Sequence, residues 1–203
     1  MSAHGQPARR RERTGRPAVT SRAQLERVAL ELFVRDGFTE TTVDDIAGAA
    51  GISRRTFFRY YASKNDVVWG DFDILLDGMA AWLAGVPDHV PLLPAVASAV
   101  VRFNDLPAGA VPAHRQRMSL ILHVPALQAH STVRYAGWRD VVARFAADRL
   151  GRPVDDLVPQ LVGHVALGTA LAAYERWLAD DAADLATLLA TAFDALDLHL
   201  PGA

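Results

Sequence analysis

From Ser21 onward the apolar positions recur with the period of an amphipathic helix, and nowhere do they alternate for long enough to make a strand. Leu25, Val28, Ala29, Leu32 and Phe33 fall at i, i+3, i+4, i+7 and i+8. Ser21, with Gln24 three residues on, opens this first helix as a capping box, and Gly37 stops it. Thr41 or Thr42 caps a short second helix whose inner face is Val43, Ile46, Ala47 and Ala50 and whose Asp44 and Asp45 suit the N-terminal dipole; it ends at Gly51. Ser53 caps a third over Arg54-Arg55-Thr56-Phe57-Phe58-Arg59-Tyr60-Tyr61. Ser63 with Asp66 opens a fourth, which the stripe Val68, Phe72, Leu75, Leu76, Met79, Leu83 predicts to run towards Leu83. Pro87, Pro91, Pro107, Pro112, Pro125 and Pro153 then punctuate helices expected near 92–104, 113–123, 126–150, 156–179 and 183–199. The fold class is all-α.

Composition narrows the function. The 203 residues are 51% apolar, enough for a real core, and the absence of cysteine removes disulfide scaffolds, thiolate nucleophiles and Cys-ligated metals. The N-terminus has no apolar signal core, which fits a cytosolic protein. The uncharged run Leu157 to Tyr174 is broken by Pro159, Gln160, His164 and Thr169, so it reads as a buried helix and no membrane contact is expected. His164 there is expected as a hydrogen-bonded core residue. Charge divides unevenly: residues 1–70 hold twelve Arg or Lys against eight Asp or Glu, and the remainder nine against fifteen. A basic first third on an acidic body points to a polyanion at one end only.

That end carries the most specific signal. Two short helices joined by a Gly turn form a helix-turn-helix, the unit whose second helix enters the major groove. Here the second helix turns Arg54, Arg55, Thr56 and Arg59 outward and Phe57 and Tyr61 inward. Residues 1–19, with Arg9, Arg10, Arg11, Arg13 and Arg16, read as a flexible basic arm beside it.

The run Thr41-Thr42-Val43-Asp44-Asp45-Ile46-Ala47, then Ala50-Gly51-Ile52-Ser53, then Thr56-Phe57-Phe58-Arg59-Tyr60-Tyr61 and Ser63-Lys64 resembles the DNA-binding domain of the TetR family of bacterial regulators. The resemblance implies an N-terminal helix-turn-helix domain over 20–66 and a C-terminal helical effector-binding and dimerisation domain over 67–203. It also implies a homodimer acting as a repressor, released from a palindromic operator on double-stranded DNA by a small-molecule effector. By position, Thr42 touches a phosphate, Arg54, Arg55 and Thr56 face bases from the helix that Ser53 caps, Arg59 adds to the cationic face, and Tyr60 and Lys64 hold the DNA backbone. Dispersed segments, among them Trp69-Gly70-Asp71-Phe72-Asp73 and Ala172-Ala173-Tyr174-Glu175-Arg176-Trp177-Leu178, are similar to a subgroup found with mycofactocin biosynthesis genes. For that subgroup an acyl-CoA type of effector is expected.

For the pocket, Trp69, Phe72, Phe103, Met118, Leu122 and Trp138 are the candidate walls. Arg115 and Arg117, beside His114, and Arg134 and Arg139 are candidates for meeting a carboxylate or phosphate. Dimerisation is expected through 156–179 and 183–199, where Gly163, Gly168, Ala172 and Ala173 permit close approach and Leu185, Leu188, Ala192 and Leu196 form a stripe. No cofactor or metal is implied and no enzyme is expected: the histidines lie at no zinc-ligand spacing, and there is no phosphate loop or nucleophile elbow. Two alternatives stay open, a constitutive DNA-binding protein without an effector and a small-molecule enzyme or carrier built on a borrowed helix-turn-helix.

Overall fold

The computed structural model describes residues 21–199; the expected basic arm lies outside the described residues. Ten α-helices run in order: α1 Arg22–Asp36, α2 Val43–Ala49, α3 Arg54–Tyr60, α4 Lys64–Trp69, α5 Phe72–Ala84, α6 Leu92–Phe103, α7 Val111–His123, α8 Pro125–Leu150, α9 Leu157–Ala179 and α10 Leu185–His199, with a short 3-10 turn at Ala108–Ala110. No strand occurs among the described residues.

The four serine and threonine caps fall where the sequence puts them. Ser21, Thr42, Ser53 and Ser63 each accept from the backbone N–H three residues on, and Asp45 returns the bond to Thr42 N to complete a capping box. The α2–α3 turn is a Schellman motif: Gly51 at φ 68° donates to Gly48 O, and Ile52 donates to Ala47 O at 2.9 Å. Around these caps Leu25, Ala29, Phe33, Phe38, Ile46, Phe57 and Tyr61 are buried at the N-terminal end of one core that runs on through the later helices, with Phe33 and Phe38 rings 4.8 Å apart. We call this unit, α1–α4, the reading head.

The expected fourth helix is two helices. Gly70, at φ 54° and ψ −129°, ends α4 in a region of backbone space open essentially to glycine alone, and α5 starts afresh at Phe72. The apolar stripe stays in phase across the break, which is why the pattern reads as continuous. A Cβ on Gly70 would stand 2.7 Å from Glu26 Oε2 and 3.1 Å from an Arg117 guanidinium nitrogen, so the kink lets bare backbone cross an ion pair between the head and the body.

The body is built on α8 and α9, packed along their lengths, with α5 and α6 on one side, α7 beneath the head and α10 closing the far side. Gly163 makes the α8–α9 approach possible, since a Cβ there would meet Arg139 O at 2.7 Å. Thus Gly163 and buried Ala173 and Leu185 belong to the chain's own core, whereas Gly168 and Ala172 face outward with exposed Leu157, Val158 and Leu161. His164 shares that outward face, contrary to the core position expected for it. By length and composition α9 alone among the described helices is apolar enough to cross a membrane, but one face of it is packed within the body.

Replacing Gly70 by Ala should lower stability by about 1–3 kcal/mol in chemical denaturation, the cost of a side chain held in this backbone region, before any contribution from the displaced ion pair.

Candidate DNA-reading face and effector cavity

On α3 the outward face is cationic. Arg55 is exposed and has no ion-pair partner among the described residues; Arg59 is exposed and lies over the Tyr60 ring at 5.2 Å. Arg54 reaches back to Asp44 of α2 at 2.8 Å and lies over the exposed Phe58 ring, 5.5 Å from its centroid. Both members of the Arg54–Asp44 pair are well solvated, and such a pair is worth about 0–1 kcal/mol, a small cost to exchange for a base or phosphate. Thr56 is half-buried, its hydroxyl 2.9 Å from that of the capping Ser53. The Thr42 hydroxyl donates to Asp45 at 2.6 Å while capping α2, so in the free protein it is occupied.

Lys64 differs from the expectation that it clamps DNA. Its ammonium donates to the carbonyls of Phe38, Thr39 and Thr41 at 2.7, 3.1 and 2.9 Å and lies 4.6 Å from the centre of the Phe38 ring. All three of its donors are spent tying the α1–α2 loop to α4. Burial lowers its pKa, with nearby Glu40 opposing the shift.

Among the described residues, two clusters of charged side chains join the head to the body. In the first, Arg117 of α7 donates to Glu26 Oε2 of α1 at 3.0 Å, and the other oxygen of Glu26 accepts from the Tyr61 hydroxyl at 2.6 Å. Tyr61 is the residue that ends α3, its N–H on Phe57 O. Burial and the Glu26 acceptor push the Tyr61 phenol well above its usual range. Arg22 stacks on the Tyr61 ring at 4.6 Å and lies 3.2 Å from Asp71. In the second contact, Asp66 of α4 meets Arg134 and His130 of α8 at 3.0 and 3.3 Å; Arg134 also holds Asp73. Burial opposes the Asp66 charge, but Ser63, Arg134 and His130 outweigh it and hold its pKa low.

Beneath the head lies an inner cavity of about 170 Å³, bounded by α4 to α9. Five of the six expected wall residues line it: Trp69, Phe72, Phe103, Met118 and Trp138; Leu122 and two of the expected arginines are placed elsewhere. Arg115 donates to Trp177 O at 2.5 Å and Asp180 O at 3.2 Å and stacks on the Trp177 ring, so it finishes α9; Arg134 is taken by Asp66 and Asp73; Leu122 lies outside the lining. The polar lining is Asn104, Asp105, His114, Arg117, Tyr135 and Tyr174. Arg117, one of the expected arginines, lines the cavity with its neighbour His114; with Met118 and Ile121 they repeat at i, i+3, i+4 and i+7 on the inner face of α7. Tyr174, quoted only within a similar segment, needed the fold to bring it here.

These groups form a chain. The Tyr174 hydroxyl donates to Asn104 Oδ1 and lies 2.7 Å from His114 Nε2, which fixes the imidazole as its Nε2 donor tautomer. Burial, reinforced by the charge on Arg117, lowers the His114 pKa to about 4, so the ring is neutral. Burial raises Tyr174 and, to about 12, Tyr135. Among the described residues Trp69 Nε1, Arg117 Nε and the Tyr135 hydroxyl are buried without a hydrogen-bond partner of good geometry, while the Ser131 hydroxyl near Tyr135 donates to Leu127 O. A second cavity, about 660 Å³ and more open, lies between α6 and α10 and shares Asn104, Asp105 and Leu106 with the first.

Residues 27–68 match the family model for bacterial regulatory proteins of the tetR family, and residues 90–201 match that for the MftR C-terminal domain. Over 188 residues, 93% of this chain and 95% of the relative, the sequence is 46% identical to the protein assigned in Mycobacterium tuberculosis as mycofactocin biosynthesis transcriptional regulator MftR. The chain belongs to the TetR family of transcriptional regulators. Among solved TetR-family structures, the fold is similar to Thermus thermophilus FadR in complex with lauroyl-CoA (TM-score 0.58, 22% identity, 90% of this chain and 96% of that one). It is similar also to Bacillus subtilis FadR in complex with stearoyl-CoA (TM-score 0.62, 16% identity, 87% and 97%).

Two outcomes are expected from this geometry. Lys64→Met should cost on the order of 2 kcal/mol in folding stability, as expected for lost hydrogen bonds to a charged group, while leaving the salt dependence of DNA binding unchanged. As pH falls from 6.5 to about 4 the unfolded chain protonates His114 and the folded chain does not, so stability falls across that window. The loss should be about 3 kcal/mol, and in denaturation curves at pH 7 and pH 4 His114→Gln should show that much less pH dependence than the parent.

Proposed function

We propose that this protein is a cytoplasmic, ligand-responsive repressor of a mycofactocin-related operon, binding a palindromic operator as a homodimer and leaving it when an acyl-CoA type of effector enters the body. The observation that carries the ligand response is the inner cavity. Its walls are aromatic and aliphatic, while the unsatisfied groups in it are donors: an indole N–H, a guanidinium N–H and a phenol. A buried donor left unpaired costs about 1–3 kcal/mol, so the site favours a ligand that brings acceptor oxygens on an apolar body. An acyl thioester has that form. The inner cavity is smaller than the roughly 300–1,000 Å³ usual for ligand sites, which supports a long chain continuing past Asn104–Leu106 into the adjoining cavity. The FadR structures, with lauroyl-CoA and stearoyl-CoA, favour the same class.

On the DNA side, Arg55 is the leading base-reading residue because it is exposed and uncommitted, with Arg54 and Thr56 beside it. Thr42, Ser53, Arg59 and Tyr60 border the phosphates. Pairing of two chains through α9 follows from the exposed row Leu157, Leu161, Gly168 and Ala172, with α10 alongside.

Footprinting on the protein's own promoter, with and without lauroyl-CoA, tests this reading. A protected palindrome that lauroyl-CoA clears supports it; protection indifferent to every acyl-CoA tried leaves a constitutive DNA-binding protein instead. Within the protected site, Arg55→Ala should cost about 1–3 kcal/mol and relax one base position. Equal losses on cognate and random DNA would make Arg55 a phosphate contact.

A further inference from the structure

The cavity and the reading helix are separated by only two side chains. Arg117 lines the cavity; Glu26 takes Arg117 on one oxygen and Tyr61 on the other; Tyr61 ends α3. The pair is largely enclosed, with Glu26 14% and Arg117 23% exposed, so water and salt screen it less than an ion pair on the surface. Arg117 also keeps an unused donor, since its Nε is buried with no acceptor among the described residues. Bare Gly70 backbone lies over both charges where a side chain would press on them. The second contact between head and body is arranged differently: Arg134, His130 and Asp66 are not part of the cavity wall, so a ligand leaves them untouched.

We propose that the Glu26–Arg117 ion pair is the contact through which an occupied cavity releases the reading head, Arg117 being the residue that senses an acceptor oxygen of the ligand. This rests on the reading of the inner cavity as the effector site. The oxygen satisfies the vacant Nε and draws the guanidinium towards the cavity. Glu26 then loses its counter-charge, and with it the fixed acceptor that holds Tyr61 at the end of α3. The Asp66–Arg134 contact persists, so the head pivots about α4 and does not detach. Coupling of this kind is reciprocal: whatever factor the ligand takes from operator affinity, the operator takes from ligand affinity.

The experiment uses the full-length protein, a promoter fragment that it protects, and lauroyl-CoA as the probe, followed by the fluorescence of Trp69 and Trp138 in the cavity wall. Glu26→Gln keeps the shape of the side chain and removes the charge that holds Arg117. It should lower operator affinity without ligand by at least five-fold, raise lauroyl-CoA affinity by a similar factor, and shrink the remaining response to ligand. Weakening of both affinities together would mark a merely structural contact and overturn the proposal, as would a Glu26→Gln protein with parental affinities and a full ligand response. A second arm needs no ligand. Arg117→Lys, Tyr61→Phe and the double variant, each checked for a parental thermal transition, are compared for operator affinity. Non-additivity above about three-fold supports a path from Arg117 to Tyr61, and additive effects reject it. Should lauroyl-CoA leave the parent's fluorescence unchanged, the acyl-CoA reading fails, and this second arm still decides the relay.

Discussion

Helices of six or seven residues do not persist in water, because the cost of nucleating the first turn exceeds what so few further bonds return. α2, α3 and α4 are all of this length, so the reading head exists only through what surrounds each helix. Three devices meet that constraint here. Side-chain caps satisfy the first turns; Phe57, Ile46 and Leu25, all fully buried, give the short helices a common core; and Lys64 gathers three loop carbonyls that would otherwise leave the α1–α2 connection loose. The head is therefore cooperative in a strict sense, since no one of its helices is stable without the others. A displacement at one end of α3 is felt along all of it.

Local chemistry was legible in the sequence. The caps at Ser21, Thr42, Ser53 and Ser63 depend on neighbours three residues away, and helix existence in the body depends on apolar periodicity, so both could be read from the chain alone. Features that require two distant segments could not. The carbonyls that occupy Lys64 arrive from a loop more than twenty residues upstream, and the acids and carbonyls that claim Arg134 and Arg115 come from other helices. The break at Gly70 was hidden because the apolar stripe remains in phase through it. On α9, apolar or small on nearly every side, composition gave no sign of which face turns inward: Gly163 and Gly168 look alike in sequence, yet one lies against the α8 backbone and the other opens to solvent.

The candidate site was partly legible for the same reason. Bulky apolar residues announce themselves by size and spacing, and four aromatic side chains and Met118 line the cavity as expected. Its polar lining is spread over Asn104 of the α6 end, His114 and Arg117 of α7, Tyr135 of α8 and Tyr174 of α9, and only packing assembles it. What the assembly adds is sign. Trp69 and Arg117 bring unpaired buried N–H donors beside a neutral His114, with Asp105 the one carboxylate in the lining, a balance of the enclosure that no single residue carries.

The outward row on α9 has a bearing on DNA that the reading face cannot supply. In the proposed dimer that row sets the two-fold axis, while the proposed base-reading residues stand on α3, in the head. Half-sites on a duplex repeat at about 34–36 Å, one helical turn. The tolerated spacing between half-sites is thus fixed by how α9 meets its copy and by the rigidity of the helices between, so the grammar of the operator is written far from any base that the protein touches.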